Sequence, residues 1–170
     1  SPIGICGSGL IDLLAELRRT DRMDELGKFA DGSDEYEFSN FNNLTLSRSD
    51  ISVLAQAKAA NYCGQAIVLR EFGLPIEKFE KLYLAGGFAN YVNASNAIDI
   101  GFIANVDLGK VEKVGNASLQ GAGIMLMSTA KREQIEKLAS NIEHVELETA
   151  PDFFDFFVEG CMFKPMDKPK

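Results

Sequence analysis

The chain has 170 residues, 46% of them hydrophobic and 25% charged, with a formal net charge of −8. That length bounds one domain with a sizeable core, and that balance is the composition of an ordinary soluble globular protein. The acidic balance argues against nucleic acid, whose phosphates call for clustered Lys and Arg, and no apolar run reaches the roughly 18 residues of a membrane span.

Cys6, Cys63 and Cys161 are odd in number and far apart. Neither a disulfide framework nor a metal-binding knuckle is suggested, and a reducing cytoplasm is expected. The N-terminus carries no basic region and no apolar signal core. The chain opens at Ser1-Pro2-Ile3 without methionine, a few residues ahead of a glycine-rich motif. We therefore expect a piece of a longer protein, with about half of a site on the missing side.

Gly4-Ile5-Cys6-Gly7-Ser8-Gly9 runs straight into Leu10, Leu13, Leu14 and Leu17, which mark one face of a helix. Ser8 or Gly9 is the expected N-cap, with Asp12 in the first turn. Two readings stand side by side. A glycine-rich loop at a helix N-terminus is a natural anion site, or this is a plain capped helix with Asp12 complementing the dipole.

A polar stretch, Asp21–Asn43, predicts a loop with a short strand at Tyr36–Phe38, and Leu44-Thr45-Leu46 completes a hairpin. Ser47-Arg48-Ser49-Asp50 matches a capping signal. A long helix then runs to about Phe72, ended by Gly73 and Pro75. It is rich in alanine and apolar on more than one side, so deep burial is expected. Gln56, Lys58 and Asn61 are its polar exceptions, residues of a kind usually solvated.

Lys81–Ala104 is the stretch around which the chain is organised. Leu82-Tyr83-Leu84-Ala85 predicts a buried strand, Gly86-Gly87 follows at once, and Asn93 or Ser95 can cap a short helix. In α/β sheets ligands bind beyond the carboxyl ends of strands, where glycine lets backbone approach closely. A tight strand–loop junction without a ligand is the alternative.

Further on, Val111–Val114 predicts a strand closed by Gly115-Asn116. Ala117–Ser128 predicts a helix whose Gly121 and Gly123 suggest close packing on another backbone. A second helix shows Ile135, Leu138, Ala139 and Ile142 on one face, and His144–Thr149 predicts an edge strand. Pro151 starts a last helix bearing Phe153, Phe154, Phe156 and Phe157, which either docks on the core or forms a subunit contact. Lys164–Lys170 predicts a frayed tail, with residues 166–170 outside the domain proper. His144 has no evident partner and reads as structural. No catalytic triad or metal-ligand cluster emerges.

The order of these parts resembles the second half of the ATPase fold shared by acetate and sugar kinases, heat-shock ATPases and actin. Within that superfamily, several stretches are similar to the C-terminal ATPase domain of reductive activators of corrinoid proteins. They are Gly4–Leu14, Ala55–Ala60, Leu84–Asn93, Gly101–Ala104, Gly115–Ala122 and the closing Phe-rich helix that ends in Phe163-Lys164-Pro165. The likeness covers nearly the whole chain.

The resemblance implies an α/β fold, the ribonuclease H-like half of an actin-like ATPase domain, with a small inserted subdomain at about residues 21–75. It implies ATP and Mg as ligands, with Gly86, Gly87 and Phe88 at the nucleoside and Gly7, Ser8 and Gly9 at the phosphate or ribose side. Asp12 would orient a metal-bound water, and Lys58 would pack its stem on the adenine with its charge towards ribose or phosphate. An iron–sulfur cluster belongs, by the same resemblance, to an N-terminal part that this chain lacks. The related activators of 2-hydroxyacyl-CoA dehydratases place a cluster cysteine near a similar turn. Cys6 abuts Gly7-Ser8-Gly9 directly, where theirs lies further upstream, so no cluster is assigned to it.

The implied activity is ATP-coupled, low-potential electron transfer that returns a corrinoid protein from cob(II)amide to cob(I)amide. The implied partner is a corrinoid iron–sulfur or methyltransferase corrinoid protein, and a homodimer is compatible. The chain alone is expected to be inactive. A small-molecule kinase of acetate- or sugar-kinase type and a non-enzymatic, nucleotide-dependent assembly module are the competing readings. For the architecture, the strand at Leu82–Ala85 is expected to be central. Helices from Leu10 and near Ala117 are expected to pack on its sheet.

Overall fold

The computed structural model describes residues 3–39 and 42–167. Helix α1 (Gly7–Arg19) buries Ile11, Leu14, Ala15 and Leu17, so the buried face shares Leu14 and Leu17 with the predicted leucine stripe but takes Ile11 and Ala15, while Leu10 and Leu13 are only partly buried at its edge. It starts two or three residues earlier than expected. Cys6 is the N-cap without a side-chain bond, and the first turn holds no acid. Asp12 therefore sits one turn further in. Its Oδ1 accepts from Asn96 Nδ2 at 2.7 Å, a link to the short helix at Ala94–Asp99 rather than a dipole contact.

Strands β1 (Glu35–Ser39) and β2 (Leu44–Ser47) form the expected antiparallel hairpin. Asn42 and Asn43 turn the chain at φ 64° and 48°, left-handed values that asparagine tolerates better than most residues. Helix α2 (Arg48–Phe72) begins with a complete capping box between Ser47 and Asp50 and ends on Gly73 at φ 69°. Its buried residues include Ile51, Lys58, Ala59, Tyr62, Cys63, Ala66 and Ile67, while Val53 and Phe72 stay about two-thirds exposed. The expectation of burial on several sides thus fails. Apolar residues on its outer face lack a covering layer among the described residues.

Strands β3 (Leu82–Ala85) and β4 (Val111–Gly115) pair in parallel, with Leu82 opposite Val111 and Ala85 opposite Gly115. Among the described residues this sheet has two strands, so β3 has one neighbour and is not flanked on both sides. A helix that the sequence did not announce, α3 (Gly87–Tyr91), follows the glycine pair directly. Helix α4 (Ala94–Asp99) comes next, capped by the Asn93 side chain on the amides of Ser95 and Asn96.

The main core joins α1, the hairpin, the start of α2, α4 and the loop after it, with Leu82 and Leu84 of β3 packed against its edge. A smaller cluster gathers Tyr62, Ala66, Ile76, Ala104, Val106 and Met166. Helices α5 (Ala117–Met127) and α6 (Thr129–Ala139) bury no residue, so α5 does not pack on the sheet as expected. A Cβ at Gly121 or Gly123 would meet nothing within 4 Å, so neither glycine serves close packing here. Residues 144–149 form no strand; a 3-10 turn at Leu147–Thr149 takes their place.

Helix α7 (Phe153–Gly160) docks along α2. A Cβ on Gly160 would lie 2.9 Å from both Ala59 Cα and Tyr62 Cβ, so the two helices meet there backbone to backbone. The segment behind α7 is not frayed. Phe163 and Met166 are buried, and Phe163 N–H donates to Glu25 O at 2.8 Å. Residues 168–170 of the expected tail lie outside the described residues.

Candidate functional site

At the end of β3 the two glycines differ. Gly86 adopts φ 102° and ψ 165°, and its N–H donates to Gly115 O at 2.7 Å, which closes the parallel pair. Only glycine occupies that backbone region readily. Gly87 has no such constraint, yet a Cβ there would meet nothing within 4 Å. Its missing side chain leaves open space beside the N-terminus of α3. On the other side, Lys113 of β4 donates to Val92 O at 2.7 Å and Asn90 O at 3.1 Å, anchoring the end of α3 to the sheet.

Phe88 is half-exposed, and its ring meets Phe102 edge-on at 5.9 Å. It also reaches α1: a Cβ on Gly7 would lie 3.1 Å from the Phe88 ring. Any side chain at the first glycine of the Gly-Ser-Gly entry would therefore be tight against that ring, which would have to give by a few tenths of an ångström. Ser8 Oγ and Cys6 Sγ are hydrogen-bonded at 3.3 Å, and that bond draws the exposed Cys6 thiol below its usual pKa. Gly9 is packed against the Ile5 side chain.

Behind Gly7 and Phe88 lies a cavity of about 170 Å³ between α1 and α2. Leu10, Ile11, Leu14, Leu54, Ala57, Ile100, Phe102 and Phe163 line it, with Lys58 as its only charged residue. Three predicted site residues, Gly7, Lys58 and Phe88, thus meet at one cavity. Ser8, Gly9, Asp12, Gly86 and Gly87 do not line it. Asp12 is engaged with Asn96 on the α4 side, and Gly86 and Gly87 stand at the end of β3.

Lys58 is not on a solvated face. It is 4% exposed, and Nζ donates to Met162 O at 2.7 Å while lying 5.6 Å from the ring centres of both Tyr62 and Phe163. No carboxylate pairs with it among the described residues. Burial pushes its pKa down to about 8, partly offset by the nearby Cys161. Its stem cannot lie on an open adenine face with the charge outward, as expected from the resemblance, because the head is turned inward to the chain's own C-terminal segment.

Sequence reasoning gave no site role to three contributors, although it noted Asn61 as polar. Phe163 forms part of the cavity lining but looked like the end of a docking helix. Asn61 and Gln65 both donate to Phe102 O, and Gln65 Oε1 accepts from Ala104 N–H at 2.8 Å. They fix the loop that carries Phe102. Their one-turn spacing on α2 was the available signal, but it does not reveal a distant carbonyl. His144 lines a separate, wider cavity of about 680 Å³ beside α2. Among the described residues no group of three or more His, Cys, Asp or Glu could hold a metal ion. Nor is any described helix long and apolar enough to cross a membrane.

The parallel strand pair, the glycine-entered helix and the long helix with its hairpin make up a mixed α/β domain, and the family model that matches it is of the ASKHA class. That class comprises the acetate and sugar kinases, heat-shock ATPases and actin. The chain belongs to the family of the C-terminal domain of RACo, the ASKHA domain, whose model matches residues 1–169. It is 27% identical over 187 residues to the corrinoid activation enzyme RamQ of Eubacterium limosum, covering 96% of this chain and 32% of that protein. It superimposes with a TM-score of 0.83 and 34% identity on a solved structure of a reductive activator for corrinoid, iron–sulfur protein. That match covers 98% of this chain and 29% of the other. The chain thus spans about a third of the length of the relatives it matches.

Proposed function

We propose that this chain is the C-terminal portion of an actin-like ATPase domain, ribonuclease H-like in its sheet, with an inserted subdomain at about residues 21–75. It binds ATP within a protein that reductively activates a corrinoid protein and couples ATP hydrolysis to low-potential electron transfer. The observation that carries the reading is the open space at Gly87, at the carboxyl end of β3. The chain's own packing does not explain that glycine, whereas a nucleoside brought against bare backbone does.

The site residues in this reading are Gly86, Gly87 and Phe88 at the nucleoside, and Gly7, Ser8 and Gly9 on the phosphate or ribose side. Asp12, whose Oδ1 accepts from Asn96, would orient a metal-bound water in this reading. Lys58 belongs to the cavity behind Phe88. Mg would arrive with the nucleotide phosphates and needs few protein ligands of its own. The iron–sulfur cluster belongs to another part of the intact polypeptide. The partner is a corrinoid iron–sulfur or methyltransferase corrinoid protein. ATP acts on it by favouring the state in which the electron moves, an effect limited to the difference in nucleotide affinity between the two states.

Calorimetric titration of the intact polypeptide with a non-hydrolysable ATP analogue tests the site. Gly87→Val has room in the fold, so it should leave the protein folded and abolish binding. Wild-type affinity in a folded Gly87→Val protein would remove the nucleotide from this turn.

A further inference from the structure

Residues Cys161–Met166 form a strap that runs from the end of α7 across the molecule, and nearly every residue in it is anchored. Met162 O accepts from Lys58, Phe163 N–H donates to Glu25 O at 2.8 Å, and Phe163 O accepts from Arg18 Nε at 2.9 Å. Arg18 in turn donates to Met23 O at 2.8 Å. Gly101, at φ 70°, has no side chain because a Cβ would lie 2.3 Å from Lys164 O. The strap therefore touches α1, α2, the loop before the hairpin and the loop after α4. Its Phe163 ring is 1% exposed and forms part of the wall of the cavity that Gly7 and Phe88 also line.

Among these anchors Lys58 is the odd one. A backbone carbonyl needs one donor, and a neutral side chain could supply it. An ammonium buried 96% without a carboxylate is a costly way to hold a strap. Its position between Met162 O and the faces of Tyr62 and Phe163 orients the Phe163 ring by cation–π attraction as well as by the hydrogen bond.

We propose that Lys58 is a positioning residue for the nucleotide site: it seats the strap and the Phe163 ring beneath the cavity, and so holds Gly7 and Phe88 at the spacing the nucleoside requires. This deepens the reading of Gly86-Gly87 as a nucleoside site and rests on it. Coupling between strap and site is reciprocal, so a bound nucleotide must also tighten the strap.

Both directions are measurable in the intact polypeptide. In Lys58→Met the apolar chain fills the slot without a buried charge. Its melting temperature should hold or rise, while the dissociation constant of the non-hydrolysable ATP analogue rises about tenfold, within the usual range of such couplings. A residue that merely supports the fold would lose stability and keep its affinity. In the wild-type protein, the same analogue at saturation should slow hydrogen exchange of the Phe163 amide, a measurement that stands even if Lys58→Met fails to fold. Unchanged affinity in folded Lys58→Met, or unchanged exchange at Phe163 with nucleotide bound, overturns the proposal. If the wild-type protein binds the analogue and Gly87→Val does not, such a result removes the positioning role alone. If Gly87→Val binds like the wild type, the nucleoside site itself is lost.

Discussion

A methyl group added at either Gly86 or Gly87 would have space, but at Gly86 it would sit on backbone at φ 102° and ψ 165°. Gly86→Ala should cost on the order of 1–3 kcal/mol, the strain of a region nearly closed to other residues. Gly87→Ala should leave stability unchanged, and urea unfolding separates the two. Lys58 makes a second prediction at this scale. Its folded pKa of about 8 lies below the ordinary value of 10.5, so the unfolded state holds the proton more tightly. The burial penalty is fully present below pH 8 and is relieved as pH rises from 8 towards 10.5. At about 1.36 kcal/mol per pKa unit it amounts to roughly 3 kcal/mol at pH 7 as an upper bound, less the hydrogen bond to Met162 O. Lys58→Met should be the more stable protein at pH 7, and its advantage should shrink through that alkaline window. Taking the difference between the two proteins cancels the Tyr62 and Cys63 groups, whose pKa values burial raises. A constant difference from pH 7 to 10.5 would contradict the assigned titration.

At the scale of elements, α2 is the frame on which the site is hung. Its capping box sets where it begins, its Lys58 holds the strap, and Asn61 with Gln65 grips the loop that bears Phe102. Helix α7 is pressed along it, and Gly160 is where the two backbones meet. Gly160→Ala puts a Cβ against backbone of α2, which cannot yield as a flexible side chain would. It should cost about 1–3 kcal/mol by overpacking, read as a shift in the urea midpoint without a change in slope. Because the strap follows Gly160 directly, the same variant should also weaken binding of the ATP analogue. An unshifted midpoint would mean that α7 can lift from α2 freely.

Phosphoryl transfer depends on metal and donors set around the γ-phosphate. By the family resemblance, the Asp-Gly turns that bind phosphate belong to the first half of such a domain. Purified residues 1–170 should therefore show no steady ATP hydrolysis in a coupled assay. Turnover abolished by Gly87→Val would refute that division of labour. Leu119, Leu126 and Met127 are 69%, 83% and 91% exposed, a surface that the described residues do not cover.

The sequence by itself determined the local elements and the family. The capping signal at Ser47–Asp50 and the four-residue apolar run at Leu82 depend on neighbours along the chain, and a capping box and a strand stand there, although that strand is half-exposed rather than buried and the buried face of α1 takes Ile11 and Ala15 in place of Leu10 and Leu13. It could also single out Gly86-Gly87, because paired glycines after a strand have few uses. It could not say that one glycine answers to backbone strain and the other to space, since φ and open volume exist only once β3 lies beside β4. Nor could it place Lys58. A lysine among alanines is polar by composition. Only the return of Met162 and Phe163, more than a hundred residues later, turns its ammonium inward. The tail and the 144–149 segment were misread for the same reason. Burial of Met166 and the missing strand are decided by which surfaces the rest of the fold presents, and no local pattern records that.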